Sequence, residues 1–102
     1  YLSFYGAGCA GADQCAVVET ALRTVFPAVG TVRVDSDMLG AARSVCGHEP
    51  GIACILGTGS NVASYDGERI ISPGYSLGFW LGDEGSGGYL GKQLVVAYLQ
   101  NQ

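Results

Sequence analysis

Three short segments hold the side chains that could do chemistry. The first is Asp35-Ser36-Asp37, where an alternating stretch gives way to residues at helical spacing. A carboxylate in the first turn of a helix faces the positive end of the peptide dipoles. It therefore stays ionised and can accept a proton from a hydroxyl. Asp37 holds that position, Asp35 competes for it, and either could do no more than stabilise the helix start. The second segment is Gly57-Thr58-Gly59-Ser60. Glycines at alternate positions let backbone N–H groups converge on one concavity, which suits phosphate oxygens, and Thr58 and Ser60 add hydroxyl donors. The run lacks the Gly-Lys-Ser/Thr ending of a Walker loop and leads into a strand instead of a helix. A plain strand-to-strand turn would read the same way. The third segment, Gly82-Asp83-Glu84-Gly85-Ser86, puts two carboxylates at the head of a helix. Asp83 or Glu84 could accept hydrogen bonds from sugar hydroxyls, or could serve only the helix start.

Other reactive types carry less. His48 lies in a Gly-His-Glu-Pro-Gly turn and reads as solvated. Phe79 and Trp80 read as core, not as stacking platforms. The four cysteines, Cys9, Cys15, Cys46 and Cys54, form no Cys-x-x-Cys pair. Cys54 sits in an apolar run, where a thiol behaves as a small hydrophobe. The set reads as reduced thiols of a cytosolic protein. Cys9, Cys15, Cys46 and His48 match no familiar zinc spacing, so no metal site is assigned.

The elements that must position these residues follow from periodicity. Tyr1–Tyr5 reads as a buried strand, followed by a small-residue loop from Gly6 to Gly11. Asp13 can cap a helix with Cys15, Val18, Leu22 and Val25 on one face, stopped by Pro27 and Gly30. Thr31–Asp35 alternates as a short strand. Ser36 can cap a second helix with Met38, Ala41, Ala42 and Val45 along one face, ended by Gly47. Ile52–Leu56 is a continuous apolar run, as in a strand covered on both faces. Asn61–Ile71 reads as two strands joined by a type I′ turn at Asp66-Gly67. Leu77–Leu81 is expected to be a third strand. Ser86 can cap a last helix carrying Leu90, Leu94, Ala97 and Tyr98. Gly87, Gly88 and Gly91 leave its start thin, so a close neighbour is expected there. The order is thus βαβα, then a β-meander and a helix, with a composition break at 49–51.

At 102 residues, with a net charge of −4 and no basic run, the chain is not built to bind nucleic acid or a membrane surface. No apolar stretch reaches spanning length. The hydrophobic fraction of 48% is ample for a core. The absence of Met at Tyr1 and the stop just after a helix read as a piece of a longer chain.

Taken together, strand–Asp37–helix, Ile-Leu-Gly-Thr-Gly-Ser-Asn at 55–61, a hairpin, and Leu-Gly-Asp-Glu-Gly-Ser at 81–86 resemble the N-acetylglucosamine kinases. These are relatives of the BadF/BadG-type ATPases in the sugar kinase, actin and Hsp70 superfamily. The likeness covers nearly the whole chain, and the order of three motifs makes it specific. It implies an α/β chain forming part of a ribonuclease H-like two-lobed fold. Residues 1–50 would end the first lobe, and 51–102 would begin the second. It implies that Asp37 is the base taking the proton from a sugar 6-hydroxyl. Gly57, Thr58, Gly59 and Ser60 would hold the phosphates of ATP with Mg2+. Ser76, Leu77, Gly78 and Asp83 would meet the sugar together with Asp37. The implied partners are a small sugar, the remainder of the parent kinase and a second copy of the chain, in the cytoplasm.

The family's first phosphate loop and adenosine segment have no counterpart here. An activase-type ATPase with a cysteine-held iron–sulfur cluster is one rival reading. A sugar- or nucleotide-sensing module on the same fold is another. These 102 residues alone are expected to bind ATP weakly and to turn over negligibly. N-acetylglucosamine-dependent release of ADP by the isolated chain would contradict that.

Overall fold

A computed structural model describes residues 1–101. Its elements run β1 (Leu2–Gly6), α1 (Ala12–Val25), β2 (Val32–Ser36), α2 (Asp37–Cys46), β3 (Gly51–Leu56), β4 (Ser60–Tyr65), β5 (Ile70–Pro73), α3 (Gly78–Leu81) and α4 (Gly87–Gln100). Strands β1 and β2 pair in parallel, Leu2 opposite Val32, with α1 as the crossover. Strands β3, β4 and β5 form an antiparallel sheet in that order. The molecule is therefore mixed α/β, as expected.

Helix α2 joins the two sheets. Ser36 caps it as expected, its Oγ accepting the Leu39 N–H at 3.2 Å. Gly47 ends it with φ +61°, a conformation glycine adopts without strain. Met38 and Ala42 are its buried residues, and they pack with Ala53, Ala63 and Tyr65 of the antiparallel sheet. The main core thus draws on residues from both sides of position 50. On the other side, Gly40 lets α2 approach β1: a Cβ there would lie 2.8 Å from the Tyr5 ring. Tyr65 is 2% exposed. Its hydroxyl lies 2.9 Å from the Gly47 carbonyl and 2.7 Å from that of Gly67, so one phenol ties the end of α2 to the β4–β5 turn.

Several expectations are corrected. The first strand is not buried: Phe4 and Tyr5 are 39% and 37% exposed, because among the described residues β1 has one partner strand and its main helix cover is α2. Strand β3 is covered on one face only. Ala53 is buried beneath α2, while alternation sends Ile52 and Leu56 to a bare face, 69% and 70% exposed. Asp13 does not cap α1; Gly11 occupies that place and Asp13 lies in the first turn. The β4–β5 turn is not type I′, which needs positive φ at both central residues. Only Gly67 has it, at +105°. The Asp66 carboxylate instead accepts the Glu68 and Arg69 N–H groups at 2.8 and 2.9 Å. Those bonds, Arg69's first, hold its pKa below the ordinary value. Residues 78–81 form the one-turn helix α3, not a third strand, and neither Phe79 nor Trp80 is core, at 48% and 82% exposed. The close neighbours expected at Gly87 and Gly88 are present, but Gly91 faces open space. Leu90 and Leu94 of α4 are exposed.

Tyr65→Phe removes the one O–H donor that the Gly47 and Gly67 carbonyls share and is expected to cost about 1–2 kcal/mol. Gly67→Ala should cost more, because the added Cβ would meet the His48 carbonyl at 2.3 Å and φ is positive. Denaturant midpoints measured at unchanged m-value check both.

Candidate active site

The Gly57-Thr58-Gly59 turn connects two antiparallel strands, as its sequence allowed, and its backbone is spoken for in a particular way. The Gly57 N–H donates to the Gly59 carbonyl at 2.9 Å. The Ser60 N–H donates to Asp83 Oδ1 at 3.2 Å. The carbonyls of Gly57 and Thr58 accept from the Gly87 and Gly88 N–H groups, at 2.8 and 3.1 Å. These belong to the first turn of α4, whose next donor, the Tyr89 N–H, goes to Ser86 Oγ. A trans peptide unit holds its C=O and the following N–H in opposite directions. Turning the Gly57 and Thr58 carbonyls towards α4 therefore turns the Thr58 and Gly59 N–H groups away from it. Neither N–H has a partner among the described residues. Of the backbone N–H groups expected to converge at this turn, these two stay open, with the exposed Thr58 hydroxyl beside them.

Gly88 is needed for this contact, since a Cβ would lie 2.8 Å from the Thr58 carbonyl. Asp83 locks the same turn from the other side. It adopts φ +60°, the one non-glycine positive φ among the described residues. Aspartate tolerates that region better than most residues, and its carboxylate also takes the Ser76 hydroxyl at 3.3 Å. Ser76 Oγ in turn accepts the Gly78 N–H at 3.3 Å. Leu77 precedes α3 and is 63% exposed, its Cβ close to Gly82. Ser76 and Asp83 are thus brought together with Ser60, and Leu77 and Gly78 border them.

Asp37 opens a cleft of about 470 Å³ between the start of α2, the loop after β1 and strands β4 and β5. Its Oδ1 accepts the Met38 N–H at 2.8 Å. Its other oxygen has no partner among the described residues. Asp35 lines the same cleft but faces Arg43, whose Nη1 lies 3.6 Å from Asp35 Oδ2. The two candidates are thereby distinguished: Asp35 is held in an ion pair, and Asp37 keeps a free oxygen towards solvent. Cys9 and Cys15 line this cleft too, the Cys15 thiol donating to the Cys9 carbonyl at 3.6 Å. Desolvation, then Cys9 and Asp35, push the Cys15 thiol above its ordinary pKa. All four cysteines are unpaired. Cys46 ends α2 and Cys54 lies on the bare face of β3.

A second cleft, of about 300 Å³, contains Ser60, Ser76, Asp83 and Glu84. Asn61 and Val62 line both clefts. Strand β4 therefore puts Asp37 on one flank and Asp83 on the other, with the Thr58 turn at its head. Asn61 is the residue that sequence reasoning quoted but gave no role. Its Oδ1 accepts the Val62 N–H at 2.9 Å, which leaves the amide NH2 available to either cleft. Its place directly after Ser60 was the signal that could have found it. Among the described residues no three His, Cys, Asp or Glu side chains gather as a metal site.

The chain matches no protein-family model and no curated protein. It is similar to a solved structure, that of the putative N-acetylglucosamine kinase from Porphyromonas gingivalis, at 46% sequence identity and a TM-score of 0.93. The match covers 98% of this chain and 35% of that one, so the chain spans about a third of the relative's length. The resemblance carried by the three motifs is borne out by it.

Asp83→Ala removes the acceptor for the Ser60 N–H and the Ser76 hydroxyl. Amide exchange at Ser60, whose N–H bonds Asp83, should quicken by about tenfold or more, the size of one lost charge-assisted hydrogen bond, and Asp83→Asn should recover part of it. Hydrogen-exchange mass spectrometry or NMR measures this.

Proposed function

We propose that this chain, a relative of a putative N-acetylglucosamine kinase along nearly its whole length, is the central part of an ATP-dependent amino-sugar kinase. Its α/β elements would form the end of one lobe and the start of the next in a ribonuclease H-like ATPase. The observation that carries the reading is the Asp37 carboxylate, with one oxygen unpartnered, in a cleft that shares the Asn61–Val62 wall with the cleft of Asp83.

Asp37 accepts the proton of the sugar 6-hydroxyl as that oxygen attacks the terminal phosphorus, the leaving group being ADP. ATP would supply the phosphoryl group, and a bound Mg2+ would offset its charge. The Thr58 and Gly59 N–H groups donate to phosphate oxygens, and Thr58 Oγ1 adds a third donor. Their contribution is position and charge compensation, which is most of what a phosphoryl-transfer enzyme provides. Asp83 and Ser76 present oxygens to sugar hydroxyls, while Asp83 also fixes the Ser60 end of the turn. N-acetylglucosamine is the substrate favoured by the similarity, and the cytoplasm is the compartment such a reaction implies. Among the described residues no helix is long and apolar enough to cross a membrane.

In the full-length protein, Asp37→Asn keeps an acceptor for the Met38 N–H but loses the base. kcat for phosphate transfer to N-acetylglucosamine should fall by about 10²–10⁴-fold with sugar affinity nearly unchanged. Unaltered turnover would overturn the assignment and leave a sensing role. Cluster-bound iron in the purified protein would favour the activase-type reading instead.

A further inference from the structure

The chain has only five Lys and Arg residues and a single histidine. Three of those arginines and the histidine line one cleft of about 540 Å³: Arg33 from β2, Arg43 from α2, Arg69 from the turn before β5, and His48 from the turn after α2. The remainder of the lining is Tyr65, Gly67 and Glu68. In a protein of net charge −4, this gathering of cations is unlike the acidic character of the rest of the chain.

The cations are differently committed. Arg33 is exposed and has no ion-pair or hydrogen-bond partner among the described residues. Arg69 is 83% exposed at its side chain and only loosely paired, Nε to Asp66 Oδ2 at 3.4 Å. His48 is exposed and likewise without a side-chain partner among the described residues. Arg43 is the anchored member. It donates to the Tyr5 hydroxyl at 2.7 Å and to the Glu68 carbonyl at 3.5 Å, and it sits 5.7 Å from the centre of the Tyr5 ring. The negative groups nearby are Asp35, Asp66 and Glu68. Asp35 and Asp66 each face one arginine and the Glu68 carboxylate has no ion-pair partner among the described residues, which leaves Arg33 and the open donors of Arg69 to a ligand.

We propose that this cleft binds the phosphate group of a small phosphomonoester, separately from the Asp37–Asp83 site. Planar guanidinium forks suit phosphate oxygens, to which they donate in pairs. Arg33 and Arg69 both line the cleft, so a phosphate dianion bound there would have both forks to draw on. The site is also linked to the Asp37 cleft. Arg43 lines the phosphate pocket with one edge and holds Asp35 with the other, and Asp35 lies two residues before Asp37. An anion drawing on Arg43 competes with Asp35, so occupancy reaches the wall of the first cleft.

NMR titration of the isotope-labelled chain with orthophosphate and with glucose 6-phosphate, at constant ionic strength, tests this. Saturable shifts are expected at Arg33, His48 and Arg69, with smaller ones at Asp35. Tighter binding of the sugar phosphate would point to a metabolite; equal binding would point to free phosphate as the source. Arg33→Ser, at an exposed position with no side-chain hydrogen bond or ion pair to lose among the described residues, should weaken binding by about tenfold, and Arg69→Ser by a similar factor. Non-saturable shifts, or affinity unchanged in both variants, would overturn the proposal. Shifts confined to Thr58 and Gly59 would also overturn it, while supporting the phosphate turn of the kinase reading, so the two fail separately.

Discussion

Two backbone carbonyls organise the site. Those of Gly57 and Thr58 satisfy the first N–H groups of α4, donors that no helix can pair within itself. The contact brings the glycine turn and the acidic segment together. Peptide planarity then fixes where the next two N–H groups point. A turn left free of α4 could orient its donors in many ways; docked, it offers Thr58 and Gly59 in one direction. The price is paid in residue choice, because only glycine at 88 permits the approach.

The same logic explains Asp83. Its positive φ is a mildly unfavourable state for a residue with a Cβ. It persists because the carboxylate receives the Ser60 N–H and the Ser76 hydroxyl, and because the Ser86 N–H bonds its carbonyl at 3.0 Å. Strain at one residue is thus compensated by three hydrogen bonds that join the turn, the loop before α3 and the cap of α4. Asp37 is positioned by different means, at the head of a helix whose buried face rests on the antiparallel sheet. The two carboxylates flank a common wall, Asn61 and Val62 of β4, which lines both clefts. Much apolar surface stays uncovered, on β3 and along α4, and the molecule extends 60 × 32 × 19 Å.

Much of this was legible residue by residue. Ser36 and Ser86 announced their helices because a hydroxyl before an apolar-periodic run can do little better than cap it. Gly47 ended α2 for a reason equally local. Where expectation failed, the missing information was non-local. The Ile52–Leu56 run looked like a strand covered twice, yet whether a second layer exists is not written in the strand. Phe79 and Trp80 looked like core, yet their burial depends on what packs over α3. The Asp66-Gly67 pair suggested a type I′ turn, but the Asp66 carboxylate captured the N–H groups that such a turn would have used.

The sequence by itself determined which residues could serve as base, phosphate cradle and polyol acceptor, and the elements that carry most of them, since caps, alternation and glycine turns depend on near neighbours along the chain. Tertiary structure set Asp35 and Asp37 apart, by placing Arg43 against the first and leaving one oxygen of the second without a partner among the described residues. It decided which two N–H groups of the glycine turn remain open, and it brought Asn61 into both clefts. Those outcomes turn on charges and hydrogen-bond partners that are distant in sequence and meet only when α2 and α4 dock, so no local pattern encodes them.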